Sequence, residues 1–272
     1  MKLYDCFMYF NEDLALELRL NTLNDFIDGF IIAEATRNHS GERKKLNFNI
    51  NNFQKFKKKI NYVVVDDIPK DIGEYKKDWS DAHIRDQFQR NALSRGYKNC
   101  NDEDLIMISD LDEIPNPQKI KEFNIKNKYA CFMQKNLHLK INLLNISSEN
   151  WMGTKICQKK NLRSPQWLRN IKIRERPFWK FYKPQKPQLI FNGGWHFNNC
   201  LKTSNDIAVK IKSGAHQEEN KEEFTNLEKI EEKLKNNTDL FGREFKYKKI
   251  ELDESFPEYI LRNKTKFNPW II

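Results

Sequence analysis

The chain reads as an α/β protein, a largely parallel sheet with helices on both faces, continued by mixed strands and helices. Two observations predict this. Short continuous apolar runs at 3–10, 30–33, 62–65 and 105–108 alternate with helical stretches, the pattern of parallel strands buried on both faces. Acids then close three of the runs. Glu34 and Asp66 follow theirs directly and Asp110 stands one residue beyond, at the carboxyl edge where open α/β sheets bind ligands.

Taken in order, residues 3–10 form the first strand, and Asn11-Glu12-Asp13 opens a helix carrying Leu14, Leu16, Leu18, Leu20 and Leu23. Further helical stretches are expected at 51–59 and 81–95. After Pro115 the pattern changes, and 129–136 and 137–144 read as neighbouring strands with no long helix between them. Trp151-Met152-Gly153, Trp167 and Pro177-Phe178-Trp179 punctuate a basic, aromatic stretch, followed by strand-like 189–191 and 193–197. Helices are expected around 205–213 and 222–235. The tail 245–272, broken by Pro257 and Pro269, is expected to wrap back over the rest. With no internal repeat and no linker, the chain is taken as one domain over 1–272, with a ligand-binding half at 1–115 and a second half at 116–272.

At 272 residues the chain can bury a proper core, and 19 Phe, 9 Tyr and 6 Trp supply large buried areas beside a charged content of 32%. That composition argues against disorder. Residues 1–7 lack the apolar core of a signal peptide, and no stretch has the 18 or so apolar residues of a membrane span. The five cysteines, Cys6, Cys100, Cys131, Cys157 and Cys200, are odd in number and without a CxxC pair. Neither a disulfide framework nor a cysteine zinc site is indicated, so a reducing cytoplasm is the expected location. The sequons at Asn38 and Asn145 are then accidental.

The net charge of +10 raises nucleic acid as a partner. Its lysines and arginines are dispersed, however, and the local concentrations at 55–59 and 163–186 match no helix-turn-helix, zinc-finger or RNP pattern. Such charge suits an anionic nucleotide ligand or a peripheral membrane surface equally well.

The densest chemistry lies in Ser109-Asp110-Leu111-Asp112-Glu113-Ile114-Pro115. Three carboxylates within four residues at a strand mouth repel one another unless a cation sits among them. In extended chain Asp110 and Asp112 face the same side and Glu113 the other. Such hard oxygen ligands suit Mg²⁺ or Mn²⁺ held jointly with a phosphate-bearing ligand. The structural alternative is an acidic turn closed by Pro115, with one Asp capping the next element.

Six segments together resemble glycosyltransferase family 17: Tyr4-Asp5-Cys6-Phe7 to Phe10-Asn11-Glu12, the turn 34–41, Gln89-Arg90-Asn91, the 109–115 motif, Gly193-Gly194-Trp195-His196-Phe197 and Pro257-Glu258-Tyr259-Ile260. The resemblance spans nearly the whole chain. That family contains the β-1,4-mannosyl-glycoprotein β-1,4-N-acetylglucosaminyltransferases, which add a bisecting GlcNAc from UDP-GlcNAc. The membrane anchor and stem of the animal enzymes have no counterpart in the 272 residues, which puts a glycoprotein acceptor in question and leaves a glycan or glycolipid expected. The resemblance implies a GT-A type fold with a Rossmann-like nucleotide-sugar-binding sheet, a divalent ion (Mn²⁺ or Mg²⁺) on the donor diphosphate, and inversion at the anomeric carbon.

It also implies site roles. Asp112 is the first metal ligand and Asp110 the second, either directly or through the ribose. His196 completes the shell by analogy with other GT-A enzymes that carry a late metal-binding histidine, its neighbours Gly193 and Gly194 permitting close backbone approach to a ligand; the alternative is a packed core histidine. Phe10, Asn11, Glu12 and Glu34 close strands where the donor is contacted, and Arg85 and Arg90 offer a fork for diphosphate or ribose. Inversion needs a base for the acceptor hydroxyl, with Glu113, Glu149 and His216 as candidates. Trp151, Trp167 and Trp179 are candidates to stack on acceptor sugars, although core packing explains each equally. Competing readings are a DxD phosphoryl-transfer enzyme, and a basic polyanion- or membrane-surface-binding protein on a degenerate transferase fold.

Overall fold

The computed structural model describes residues 1–69, 80–175, 177, 179 and 183–272; Phe178 lies outside them. In chain order the first half comprises β1 (Leu3–Met8), α1 (Asp13–Leu23), β2 (Gly29–Ala35), β3 (Ile60–Val65), α2 (Asp81–Ala92), β4 (Leu105–Ser109) and β5 (Glu113–Pro115). The second half adds β6 (Tyr129–His138), β7 (Leu143–Asn145), β8 (Asn150–Gln158), α3 (Pro165–Arg169), β9 (Gln188–Ile190), β10 (Gly194–Asn198), α4 (Ser204–Ser213), α5 (Glu222–Thr225), α6 (Leu227–Asn236), β11 (Tyr247–Lys249), α7 (Glu258–Arg262) and α8 (Lys264–Phe267).

Among the described residues the strands join one sheet. Its spine runs β11-β7-β6-β8-β4-β1-β2-β3, with β9 and β10 also paired to β6, and β5 to β10. The β3-β2-β1-β4 portion is parallel, as the alternation with helices requires. From β4 the sheet turns antiparallel through β8 to β6. The predicted α/β class, with a parallel first half and a mixed second half, is the architecture observed.

Alternation along the parallel strands sorts two cores. Leu3, Phe7, Phe30, Ile32 and Met107 pack toward α1 and the C-terminal tail, while Cys6, Ile31, Ala33 and Ile108 pack on the opposite face with Ala92 and Phe88 of α2. Helix α1 is buried nearly all round because the tail covers its outer side. Tyr259 and Lys266 both bond the Glu17 carboxylate, the lysine at 2.5 Å, and Phe267 is buried. The expected wrap of the tail is therefore present.

Several expectations are corrected. The stretch 137–144 is divided: β6 continues through Leu137 and His138, Leu139, at φ +61°, turns the chain, and the neighbouring antiparallel strand β7 begins only at Leu143, pairing Leu144 with Leu137. The stretch 51–59 is a 3₁₀ segment, Ile50–Phe56. The helix at 222–235 splits into α5 and α6 at Asn226, whose side chain caps α6 by accepting from Lys229 N. The Trp151 segment, given no element by the sequence, lies in β8, inserted between β4 and β6.

Candidate active site

The acidic motif is a tight turn rather than extended chain. After β4 ends at Ser109, the Glu113 amide donates to the Asp110 carbonyl at 3.1 Å, and the Asp110 amide donates to Glu113 Oε2 at 3.1 Å. The turn is built around Arg19 of α1, a wholly buried guanidinium. Its Nη1 donates to the carbonyls of Asp110, Leu111 and Glu113 at 3.0, 3.1 and 3.0 Å, and its Nη2 to Ser109 Oγ at 2.6 Å. Asp5 of β1 lies on the α1 face of the sheet and balances the charge through two further bonds. Carbonyls that crowd a tight turn thus share one cation in a site sealed from water. Arg19 is missing from the sequence reading, yet Leu18-Arg19-Leu20 and Tyr4-Asp5-Cys6 each hold a lone charge inside an apolar segment.

Strand β10 brings His196 to this turn. It runs antiparallel to β5, pairing His196 with Glu113, and the Phe197 amide donates to the Asp112 carbonyl at 2.9 Å. Gly194 has φ +130°, and a Cβ there would stand 2.1 Å from the Ile114 carbonyl oxygen; one at Gly193 would stand 2.8 Å from Phe132 Cβ. The glycine pair therefore serves close approach to β5 and β6, not to a ligand as expected. His196 Nε2 lies 4.0 Å from Asp112 Oδ1 and its Nδ1 3.3 Å from Asn136 Oδ1. Its ring stacks on Trp151 at 4.4 Å. Burial lowers its pKa to about 4, so the imidazole is neutral at pH 7 and keeps a lone pair for a ligand.

Two of the three motif carboxylates, Asp110 and Glu113, share Arg169, and Asp112 faces elsewhere. Asp110 is bonded by Arg90 Nη2 at 3.1 Å and Arg169 Nη2 at 2.9 Å; partial burial works against its charge, but the two arginines prevail and hold it well below the carboxylate range. Glu113 is buried and accepts from Arg169 at 2.5 Å and Trp151 Nε1 at 2.6 Å, yet burial still pushes its pKa up. Asp112 faces Lys210 Nζ of α4 at 3.6 Å. That ammonium also donates to Asn199 at 3.1 Å, and although burial lowers its pKa, Asp112 and Glu12 raise it overall. Glu12 is paired with Lys202 at 3.1 Å; desolvation opposes its charge, but the two lysines hold it at about 2.

These groups border a cleft of about 540 Å³ at the carboxyl ends of β1, β2 and β4. Phe10, Glu12, Arg90, Asp110, Asp112, Trp151, His196 and His216 line it, as expected. Asn11 sits between Phe10 and Glu12, its amide on Glu12 Oε2 at 3.1 Å. Sequence reasoning missed Arg169 and Lys210, for neither stands out in its basic surroundings.

Other expectations fail on geometry. Glu34 is buried away from the cleft and organises the following loop, accepting from Lys44, the Asn47 and Phe48 amides at 2.7 and 3.0 Å, and Tyr62 at 2.8 Å. Arg85 forms no fork with Arg90; it donates to the His39 carbonyl at 3.1 Å and braces the loop at Gly41. Glu113 is too enclosed to take a proton from an acceptor, and Glu149 is exposed outside the cleft lining. Trp167 packs edge-on against Tyr129 at 5.9 Å, and Trp179 is 60% exposed; neither lines the cleft. Trp151 reaches the cleft, but with one ring face on His196.

The fit to a divalent ion is narrower than the motif implied. Asp110, committed to two arginines, does not converge with Asp112 and His196 on a common point: among the described residues, the one group of three acid, His or Cys side chains with ligand atoms all within 4.8 Å is His83, His216 and Glu218. Asp112 and His196 remain a carboxylate and a neutral imidazole on opposite sides of a 4.0 Å gap. That donor pair suits an ion whose other ligands come from water and a diphosphate.

The chain is similar to several known proteins. Beta-1,4-mannosyl-glycoprotein 4-beta-N-acetylglucosaminyltransferases from Homo sapiens and Rattus norvegicus are each 30% identical over 105 residues, covering 37% of this chain and 19% of theirs. The matched part is thus about a fifth of those relatives. The crystal structure of S. aureus TarS 1–349 aligns with a TM-score of 0.37 at 13% identity, over 79% of this chain and 66% of that one. The profile of Glycosyltransferase family 17 matches residues 1–268. A match over almost the entire chain, joined to a parallel sheet with an acidic turn at its carboxyl edge, establishes that this chain belongs to glycosyltransferase family 17.

Proposed function

We propose that the chain transfers a sugar, GlcNAc first among candidates, from a UDP-sugar to a hydroxyl of a glycan or glycolipid, with inversion and with Mn²⁺ or Mg²⁺ on the donor diphosphate. The observation that carries the reading is the Asp112–His196 pair, 4.0 Å apart beside Lys210 at the cleft floor. A divalent ion there supplies Lewis-acid neutralisation of charge on the departing diphosphate. Asp112 and His196 hold it, and Lys210 presents a further positive charge to the same oxygens. Arg90 and Arg169 keep Asp110 anionic and fixed, which makes it an acceptor for donor hydroxyls at the edge of the cleft. Trp151, partly buried at the cleft lining, is the candidate to pack against a sugar.

Among the described residues no helix is long and apolar enough to cross a membrane. A cytoplasmic location belongs to the same proposal, supported by five cysteines that are all unpaired.

The test is calorimetry of a panel of nucleotide sugars with and without Mn²⁺, followed by turnover and anomeric configuration of the product by NMR. Asp112→Ala is expected to abolish turnover with an unchanged thermal midpoint. Near-normal turnover in that variant rejects the metal role. Tight, salt-sensitive polyanion binding without Mn²⁺-dependent donor binding rejects the enzyme reading as a whole.

A further inference from the structure

At the rim of the cleft, away from the acidic turn, His83 on the first turn of α2 meets the segment that follows α4. His216 and Glu218 stand there, each largely exposed, and ligand atoms of the three side chains all lie within 4.8 Å of one another. The two imidazole rings are perpendicular, with centroids 5.1 Å apart. Two imidazoles on one tetrahedral ion, at metal–nitrogen distances of about 2.0–2.1 Å, hold their ring centroids roughly 5 Å apart. The observed separation meets that requirement, and it is also one that edge-to-face ring packing adopts, so the rings can accept an ion without moving apart.

The surroundings fit a metal site as well. Ser80 Oγ lies 2.7 Å from His83 Nδ1, the kind of outer partner that orients a ligating imidazole. His216 Nδ1 and Glu218 Oε1 are 2.8 Å apart, so a carboxylate already stands beside the second ring. Two imidazoles and a carboxylate with a position left for water form a donor set that zinc favours over Mg²⁺ or Ca²⁺, which prefer oxygen ligands.

We propose that His83, His216 and Glu218 form a zinc site that ties the segment after α4 to the start of α2 across the mouth of the cleft. The end of α4 is already tied to the neighbouring loop after β2, where the His39 amide donates to the Ser213 carbonyl at 3.1 Å. Metal coordination adds a second, stronger tie along the same rim. A metal-bound imidazole has no lone pair for an acceptor's proton, so this assignment replaces the base role that the sequence offered for His216. The inference does not depend on the transferase reading, because it concerns binding of the metal alone.

The experiment is zinc titration of chelator-treated, tag-free full-length protein, by competition with a chromophoric zinc indicator. One Zn²⁺ per chain is expected, with affinity reduced at least about tenfold in His83→Ala and in His216→Ala. Co²⁺ in place of zinc is expected to show the intense visible bands of four-coordinate geometry. Asp112→Asn is expected to keep the full zinc stoichiometry, which separates this site from the cleft floor. Both His216 and Glu218 are exposed, so His216→Ala is expected to fold normally and its circular dichroism to match the parent. Failure of the parent protein to bind zinc, zinc binding unchanged in His216→Ala, or loss of the zinc in Asp112→Asn overturns the proposal.

Discussion

Arg19 grips Asp5 through two hydrogen bonds, 2.7 Å at Nε and 2.6 Å at Nη2, with both side chains wholly out of water. The remaining donors of the same guanidinium hold the carbonyls of the acidic turn. One ion pair on the α1 face of the sheet therefore fixes the shape of a site on the sheet's edge. Removing either partner strands the other as a buried charge. Arg19→Ala is expected to lower the unfolding free energy by about 3–5 kcal/mol, measured by urea denaturation. The double variant Asp5→Leu/Arg19→Met is expected to lose less than Arg19→Ala, since it leaves no orphan charge; an equal or larger loss contradicts this account.

Glu34 is the second buried anion with a structural task. Its carboxylate collects Lys44, Tyr62 and two loop amides, so Glu34→Ala leaves a lysine and several donors unsatisfied. A loss of about 3 kcal/mol is expected, with amide exchange of Asn47 and Phe48 accelerated well before global unfolding. Protection of those two amides at parental levels counts against the role assigned here.

Lys210 and Asp110 separate binding from scaffolding. Lys210→Met removes a charge facing Asp112 at 3.6 Å and is expected to weaken UDP binding about tenfold, the deficit shrinking as salt rises. Asp110→Ala leaves Arg90 and Arg169 facing each other without their shared anion. Because Asp110 is 37% exposed, the expected loss of stability is smaller, about 1–2 kcal/mol. Calorimetry of UDP and urea midpoints of both variants check the pair; a Lys210→Met protein with parental affinity removes that residue from the site.

Acid sensitivity follows from two buried histidines. Burial lowers His196 and His138 each to about 4, below the ordinary value near 6.5. Between about pH 4 and 6.5 the unfolded chain thus binds protons that the folded chain does not, and stability rises with pH across that window. Each histidine contributes a slope of at most about 1.4 kcal/mol per pH unit, fading above pH 6.5. His138→Gln is expected to flatten the rise seen in urea midpoints between about pH 5 and 6.5. An unchanged slope rules out His138 as a source.

The parallel strands were legible because buried β runs leave continuous apolar stretches, and Asp110 and Asp112 because three acids beside such a run are rare without a task. Glu34 carried the same local signal and turned out to serve its own loop. A strand-end acid looks alike in sequence whether it meets a ligand or the amides of the loop that follows it. The two neighbouring strands read within 129–144 are present as β6 and β7, but their boundary shifted, because β6 runs on to His138 and the left-handed Leu139 turns the chain before β7 begins. Strand β8 was hidden because its place between β6 and β4, the latter remote in the chain, is decided by the assembled sheet.

Local chemistry, then, was sufficient for the α/β class, the acidic turn at a strand mouth and the family resemblance through Trp195-His196, since periodicity and short motifs are written in neighbouring residues. How the turn is shaped and charged was not. Arg19, Arg169, His196 and Lys210 come from α1, α3, β10 and α4, all remote from the acidic turn in the chain, and meet it only because the β5–β10 register and the packing of those helices bring them there. Contacts across such separations depend on the assembled sheet, and it is the sheet that divided the three carboxylates into one held by arginines, one buried, and one facing the cleft.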